Sequence, residues 1–426
     1  MFARLLRVLS SITIVSVLST GLLPAQEQKK KDVKDEGERQ VFTEVTKATD
    51  PARRLQFLDA WKQKYPESDY KEERLLYYLN TYQQLNQGAK LYETAKELLA
   101  LDPANVQALY WLTLLTETMP PTPESLATGE KAAQGLLQAK KPANVTDANW
   151  EAAKKTTDVA AYKTLAFVAS ARKDLPGAEK QYAKVLEMNP NFAEVSYKLG
   201  MVIFQQKNPD RNSEILFHWA RAASLTGVGQ LQPDAEKKRI DGVFVKAYVG
   251  IHGSEDGVKE VRTAALASPM PPAGFKVKSK HEIEAENQEK FAKENPQLAL
   301  WMSVKKELLE KGDAYFESSF KGTAPPKFRA WVVSTKPAVR PKEILVAIEK
   351  KDGPAEATLK LENPMAGKAD PGAEIEFEGV PSAFTKEPFM VTFDVESKDK
   401  ISGWPAPPPM TKKAPAGKKA GTKKKG

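Results

Sequence analysis

The segment from His252 to Gly257 (HGSEDG) comes nearest to a catalytic site in this sequence. A histidine beside acidic residues can act as a general base. The same residues also fit a turn between two helices. Gly253 would end the first helix, and Ser254 would cap the second, with acids in its first turn where they favour the helix dipole. We favour the turn.

Three carboxylates that alternate along one segment, Glu374, Glu376 and Glu378, form the second candidate site. Together they could attract a cation. However, alternation alone places polar residues on the solvent side of any half-buried strand, and hard cations usually take their ligands from a tight loop. We therefore expect no metal and no cofactor.

Other catalytic arrangements are missing from the sequence. Cysteine is absent, which excludes disulfides, thiol nucleophiles and thiolate metal sites. The three histidines, His218, His252 and His281, are far apart along the chain. There is no phosphate-binding glycine loop, no GxSxG elbow and no paired-histidine helix motif. The sequence therefore predicts a protein that is not an enzyme.

The net charge of +9 is concentrated at the two ends of the chain. Seven lysines fall within the last fifteen residues, and Arg4 and Arg7 lie near the start. Without these nine side chains the body has no net charge, so it offers no surplus to neutralise phosphates. This argues against nucleic acid as a partner. The lysine-rich end could bind an anionic envelope polymer, or it could serve only to keep the chain soluble.

The first 25 residues predict an export signal. Arg4 and Arg7 precede an apolar run from Val8 to Leu23, which is followed by Pro24-Ala25. The run is too short and too polar for a membrane span, which needs about 20 apolar residues. The absence of cysteine excludes a lipid anchor on the leader. We expect the mature protein to be periplasmic or secreted.

The first half of the chain is predicted to be helical, so helices must position any functional side chains there. Apolar residues recur there at intervals of three and four, as in Leu75, Leu76, Leu79 and Tyr82. Proline ends helices, because it lacks an amide donor and disfavours a helical residue before it. Four such stops are visible, at Pro66, Pro103, Pro142 and Pro190.

One helix–turn–helix unit is especially clear. Its first helix has an aromatic residue, then leucine and a small residue; its second has alanine and an aromatic residue, and it closes with proline. The residues are Tyr162, Leu165, Ala166, Ala178, Tyr182 and Pro190, and the next unit continues with Leu199, Gly200, Trp219 and Ala222. This pattern resembles the tetratricopeptide-repeat (TPR) family, and with the leader it resembles an exported bacterial member. Small residues allow helices to approach to about 8–10 Å.

After the repeats the pattern changes twice. Residues 233–320 remain helical without a repeat signature, and we interpret them as a cap on the last repeat. From about Gly322 the apolar period becomes two. Five short strands follow, around 328–333, 344–348, 357–361, 374–378 and 391–395.

The expected fold class is mainly α. It is a TPR-like α–α superhelix with a helical cap, followed by a small antiparallel β domain, either a barrel or a sandwich. The expected divisions are a signal peptide at 1–25, a charged linker at 26–40, repeats at 41–228, a helical extension at 229–320, the β domain at 322–404 and a disordered tail rich in Lys, Pro and Ala at 405–426.

The resemblance implies where a partner would bind. TPR arrays bind peptides on the concave face made by the first helix of each pair. The corresponding residues here are Asn80, Gln83, Tyr110, Leu114, Lys163, Phe167, Tyr197, Met201 and Gln205. Phe167, Tyr197 and Met201 are the expected anchors, because aromatic and adaptable side chains contribute most to interfaces. The alternative for each is that it packs between repeats.

The sequence therefore predicts an exported scaffold or adaptor that binds a protein or peptide partner. The alternative is a module that binds envelope polysaccharide or another polymer through the β domain and the basic tail.

Overall fold

A computed structural model describes residues 35–141 and 145–406. The chain divides into two compact units, one ending at Lys280 and the other beginning at His281. The predicted leader, the linker up to residue 34, Pro142 and the chain from residue 407 lie outside the described residues.

The first unit is built from helices that each pack against the next one along the chain. Within each pair a short connection joins the two helices, which therefore run antiparallel, the arrangement expected for a helical-repeat fold. The paired helices are α1 (Glu36–Lys47), α2 (Pro51–Lys64), α3 (Lys71–Gln84), α4 (Gly88–Leu101), α5 (Val106–Leu115), α6 (Pro123–Gln138), α7 (Asp147–Ala171), α8 (Leu175–Met188), α9 (Ala193–Gln205) and α10 (Asn212–Ser224), with short 3-10 helices at Thr116–Thr118 and Pro209–Arg211.

The helix ends follow the signals in the sequence. Helices α2, α4 and α8 end at Lys64, Leu101 and Met188, each two residues before a proline, which confirms three of the predicted stops. At the other end, Asp50 accepts hydrogen bonds from the first turn of α2, directly before a proline at the first helical position.

The linker prediction was too long at its C-terminal end, since α1 already begins at Glu36. The side chain of Asp35 caps this helix by accepting hydrogen bonds from Gly37 and Glu38. A carboxylate oxygen of Glu38 also accepts a hydrogen bond from the buried Trp61 indole, 2.7 Å away. This contact gives a charged segment a tertiary partner that its composition did not reveal.

Within three pairs the turn has the same backbone form. The second residue after α3, α7 and α9 is Asn86, Lys173 and Lys207, respectively, and each has a positive φ of 53–66°. Glycine usually occupies such a position after a helix. Lysine there is strained, since a side chain with a Cβ disfavours the left-handed region.

The buried cluster that we call the repeat core begins at α7 and includes α10, and a second buried cluster lies between α3 and α7. Ala166, Ala178 and Gly200 are fully buried, as the close approach of helices requires. A Cβ at position 200 would come within 2.6 Å of the Trp219 indole, so glycine leaves the notch that this ring fills. Tyr182 is also buried and belongs to the same core.

The predicted extension at 229–320 spans both units. Helices α11 (Asp234–His252) and α12 (Val258–Ala267) pack against α10 and share the repeat core. The second unit begins at His281, the second residue of α13 (Lys280–Glu294). It also contains α14 (Pro296–Lys311), the short helix α15 (Asp313–Tyr315) and a π-helical turn at Phe316–Phe320. This part of the predicted extension belongs with the sheet and not with the repeats, because α14 places its apolar stripe against that sheet.

The second unit contains a sheet of seven strands in the order β5-β6-β3-β2-β1-β4-β7. All five predicted strands are present, and two more occur. The described pairings are antiparallel except that of β3 with β6, which is parallel and gives a mixed sheet. The strands are β1 (Phe328–Lys336), β2 (Glu343–Ala347), β3 (Ala357–Leu361), β4 (Glu374–Phe377), β5 (Val380–Thr385), β6 (Met390–Val395) and β7 (Ile401–Ser402).

One face of this sheet forms a core with α14. Trp301 of α14 is fully buried, with ring centroids 5.6 Å from Phe328 and 6.3 Å from Phe393. Directly before β3, Glu356 is only 4% exposed. Its carboxylate accepts backbone hydrogen bonds from the two residues that follow β2, and pairs with Lys305 of α14. This buried ion pair fixes the helix to the sheet.

Candidate functional site

All nine residues predicted to bind a partner lie on the first helices of their pairs. Asn80 and Gln83 are on α3, Tyr110 and Leu114 on α5, Lys163 and Phe167 on α7, and Tyr197, Met201 and Gln205 on α9. The helical-repeat arrangement therefore puts them on successive first helices. Whether the side chains share one surface depends on their direction around each helix.

Helical spacing places most of these side chains on one stripe of each helix. On α5, Tyr110 and Leu114 are followed by Glu117 in the adjoining 3-10 turn. The stripes of α7 and α9 contain further positions spaced by three or four residues. We define the first-helix face as Tyr110, Leu114, Glu117, Lys163, Phe167, Glu194, Lys198, Met201 and Gln205.

Four charged side chains join these stripes. Lys198 Nζ lies 2.7 Å from Glu117 Oε2 and 2.8 Å from Glu194 Oε1. Lys163 Nζ lies 3.5 Å and 3.1 Å from the same two oxygens. Each lysine therefore contacts both glutamates, and each glutamate contacts both lysines. This charge cluster (Glu117, Lys163, Glu194 and Lys198) connects the end of α5 with α7 and α9.

Three members of the cluster, Lys163, Glu194 and Lys198, keep their charges over a wide pH range. Burial acts to raise the pKa of Glu194, but Lys163 and Lys198 outweigh it and lower that pKa to about 2. Burial acts in the opposite sense on the two lysines. There the neighbouring Glu117 and Glu194 prevail and hold both pKa values above the ordinary value for lysine. With two lysines and two glutamates in mutual contact, the formal charges of the cluster cancel.

The two glutamates differ in their exposure. The Glu117 side chain is 14% exposed, and its Oε1 atom is buried without a hydrogen-bond partner in the described structure. The Glu194 side chain is 43% exposed. Glu117 is therefore the more internal counter-ion of the two lysines, whereas Glu194 is partly open to solvent.

The apolar positions divide into exposed and packed ones. Phe167, Leu114 and Met201 are half-buried and keep part of their surface open to solvent. Tyr110 is only 6% exposed, with its ring 5.6 Å from that of Trp111, and its burial raises its pKa to about 12. Tyr110 thus has little surface to offer to a partner.

Tyr197, one of the three predicted anchors, is turned toward the following helices. Its ring centroid lies 6.4 Å from that of Trp219 on α10, and the Arg239 guanidinium of α11 lies 5.6 Å over the same ring. It therefore packs between helices, which is the alternative considered above. Asn80 and Gln83 are half-buried on α3, one pair before the helices that the charge cluster connects.

Sequence reasoning missed three members of the charge cluster. Glu194 and Lys198 are four residues apart on the same stripe of α9 as the predicted Met201, so helical spacing contained a signal for them. Glu117 had no such signal, because it follows α5 in a turn and is 46 residues from Lys163. Only folding brings these two together.

The histidine-containing segment forms a turn, as favoured above. Gly253 ends α11 in the left-handed region with a φ of 99°. The next helix, however, is preceded by Gly257 and not capped by Ser254, whose hydroxyl bonds to Asp256 instead. The His252 Nδ1 atom lies 2.9 Å from the backbone oxygen of Lys278, so the ring has a structural contact.

The alternating carboxylates of β4 and the residue after it are paired with cations. Glu374 lies 2.7 Å from Arg329, and Glu378 lies 2.7 Å from Lys400. Glu376 lies between them and accepts a hydrogen bond from Ser402. These contacts make the row a ladder of surface ion pairs. Across residues 35–141 and 145–406, no group of three or more such side chains is arranged to hold a metal ion.

None of the helices in the described ranges is long and apolar enough to cross a bilayer.

Comparison with known proteins adds two similar structures. No family model matches the chain, and no curated protein matches it. One similar structure is the MamA RS-1 ArsTM double mutant, with 14% identity and a TM-score of 0.31, covering 43% of this chain and 93% of that one. Another is TTC0263, a thermophilic TPR protein in Thermus thermophilus, with 12% identity and a TM-score of 0.27, covering 50% of this chain and 95% of that one. TM-scores this low carry no argument, so the helical-repeat fold rests on the helix pairs themselves.

Proposed function

We propose that this chain is an exported, non-enzymatic adaptor whose first-helix face binds an extended peptide segment of a protein partner. The observation that carries the proposal is the charge cluster. Through it, side chains from α7, α9 and the 3-10 turn after α5 meet, although they come from distant parts of the sequence.

The apolar side chains beside the cluster supply the affinity. Phe167 follows Lys163 by one helical turn, and Met201 follows Lys198 by three residues, so each lies next to a cluster lysine on its own helix. Both keep part of their surface open to solvent. An aromatic ring and a methionine are well suited to anchor a peptide, since they bury a large area and adapt to its shape.

Export is the second part of the proposal. It rests on the basic start and apolar run of the first 25 residues. A periplasmic or secreted location would place the face among envelope proteins. Fractionation of the native host, with N-terminal sequencing of the mature chain, tests this part. An intact leader on cytoplasmic protein would overturn it.

A photo-crosslinking amino acid at position 167 tests the binding part in the native host. The matched control carries the same amino acid at Leu101, which is exposed at the end of α4 and lies outside the first-helix face. We expect a discrete protein adduct from position 167 and none from position 101. Identical adducts from both positions, or no adduct from position 167, would contradict the proposal.

A pair of truncating variants measures the contribution of the anchors. We expect Phe167→Ala combined with Met201→Ala to abolish recovery of the cross-linked partner, because both apolar contacts are removed. For these variants the cross-linking amino acid is placed at Leu114, on the same face. Leu101→Ala combined with Leu266→Ala removes two exposed leucines elsewhere and should leave recovery unchanged. Equal losses in both double variants would mean that the partner does not use this face.

A further inference from the structure

The charge cluster has a consequence for the kind of peptide that the face accepts. Two lysines on a binding surface would ordinarily attract acidic segments. Here each lysine already contacts two carboxylates at 2.7–3.5 Å, so their charges are compensated within the protein. A ligand carboxylate would have to displace one of those glutamates, and an exchange of one carboxylate for another gains little.

The remaining side chains on the same stripes are uncharged. Leu114, Phe167 and Met201 are apolar, and Gln205 ends the stripe of α9 with a neutral amide. Gln107 and Ser170 extend the stripes of α5 and α7 and add no charge. The Gln205 amide can both donate and accept hydrogen bonds, so it suits the N–H and C=O groups of an extended peptide backbone.

We infer that the first-helix face selects an uncharged, extended peptide with apolar side chains, and that Glu194 determines this selectivity by neutralising Lys163 and Lys198. The inference rests on the proposed function and names the ligand class for the same face. Charge complementarity is the basis: a surface without net charge gives no preference to acidic or basic segments and no attraction that salt would screen.

Glu194 is the residue whose negative charge keeps the cluster formally neutral. It is the more exposed of the two glutamates and sits on α9 in line with Met201, whereas Glu117 is largely buried. Removing the charge of Glu194 leaves two lysines against one glutamate, a net charge of +1 at the surface. Removing the charge of Lys198 leaves the opposite imbalance. Removing both restores neutrality.

The experiment uses the full mature chain and three fluorescein-labelled peptides of equal length. They share leucines at alternate positions and have Gln, Glu or Lys at the others. Fluorescence anisotropy is measured for the wild type, for Glu194→Gln, for Lys198→Gln and for the double variant, from about 50 to about 300 mM NaCl. Glu187→Gln is the matched control, since it removes an acid from an exposed ion pair on α8, outside the face.

We expect the wild type to bind the Gln peptide at least as well as the charged ones, with an affinity that salt barely changes. Glu194→Gln should bind the Glu peptide about fivefold more tightly than the wild type does, with a gain that disappears at high salt. Lys198→Gln should bind the Lys peptide more tightly than the wild type does. The double variant should rank the three peptides by affinity in the same order as the wild type. Glu187→Gln should not alter the ranking. Circular dichroism verifies that each variant keeps its helices.

Two failures are distinguishable. If the peptides bind and Phe167→Ala weakens all three, but Glu194→Gln leaves their ranking unchanged, the proposed function stands and this inference is overturned. If the wild type binds the Glu peptide in preference to the Gln peptide, the inference is likewise overturned. If none of the three peptides binds any variant, both the inference and the proposed function fall.

Discussion

Mild acid should destabilise the repeat unit through a single buried histidine. His218 lies on α10, is fully buried, and has Ser196 as a hydrogen-bond partner at 3.4 Å. Its Nε2 atom has no partner in the described structure. Burial lowers the pKa of His218 from 6.5 to about 3, helped by the positive charge of Arg221 and opposed by Glu179.

The size of the effect follows from this difference in pKa. The unfolded chain takes up the proton below about pH 6.5, whereas the folded chain keeps the ring neutral down to about pH 3. Acid therefore favours unfolding across that window, and the stability is fully present above it. One pKa unit is worth about 1.4 kcal/mol. Between pH 7 and pH 5, His218 should therefore lower the free energy of unfolding by about 2 kcal/mol.

Urea unfolding followed by circular dichroism at 222 nm, at pH 7 and at pH 5, measures this loss. His218→Gln removes the titrating ring and should lose about 2 kcal/mol less than the wild type over the same interval. His252→Gln is the matched control, because that ring is only half-buried, at the last residue of α11. Equal losses for the wild type and His218→Gln would refute the reasoning, since the carboxylates common to both would then account for the acid sensitivity.

Further changes test the packing. Gly200→Ala places a Cβ 2.6 Å from the Trp219 indole and should lower the free energy of unfolding by about 1–3 kcal/mol. Gly242→Ala adds a Cβ in open space on α11 and should raise that free energy by up to about 1 kcal/mol. Urea unfolding midpoints of the two variants measure these changes. A higher midpoint for Gly200→Ala than for the wild type would contradict the packing of Trp219 against Gly200. Lys173→Gly relieves a left-handed backbone and should raise the melting temperature, whereas Lys180→Gly within α8 should lower it. Glu356→Gln should destabilise the sheet unit by about 2 kcal/mol, measured by tryptophan fluorescence, and an unchanged midpoint would contradict its role.

The sequence predicted the repeat unit well because its signals are local. Proline stops at Pro66, Pro103 and Pro190, together with small residues at close helix contacts, identified the pairs. The strands were predicted from their alternation for the same reason. The parallel pairing of β3 with β6 was not, since alternation within a strand contains no information about which strand becomes its neighbour.

The sequence predicted which helices carry the candidate residues, but not which of their side chains keep a surface open to solvent. Helical position placed Lys163, Phe167 and Met201 on first helices correctly, because the repeat pattern fixes which helix of a pair a residue occupies. It could not distinguish Phe167, which keeps an open surface, from Tyr197, which packs beneath Arg239. That distinction depends on the side chains of the next two helices.

The sequence by itself determined that this protein is built from paired helices followed by a β unit, and that it lacks cysteine chemistry. These properties follow from composition and from periodicity within single elements. Only the tertiary structure decided that Glu117, from a turn after α5, meets Lys163 and Lys198 and compensates their charge. The charge that a surface presents is a sum over side chains brought together by folding, and no local pattern in the sequence contains that sum.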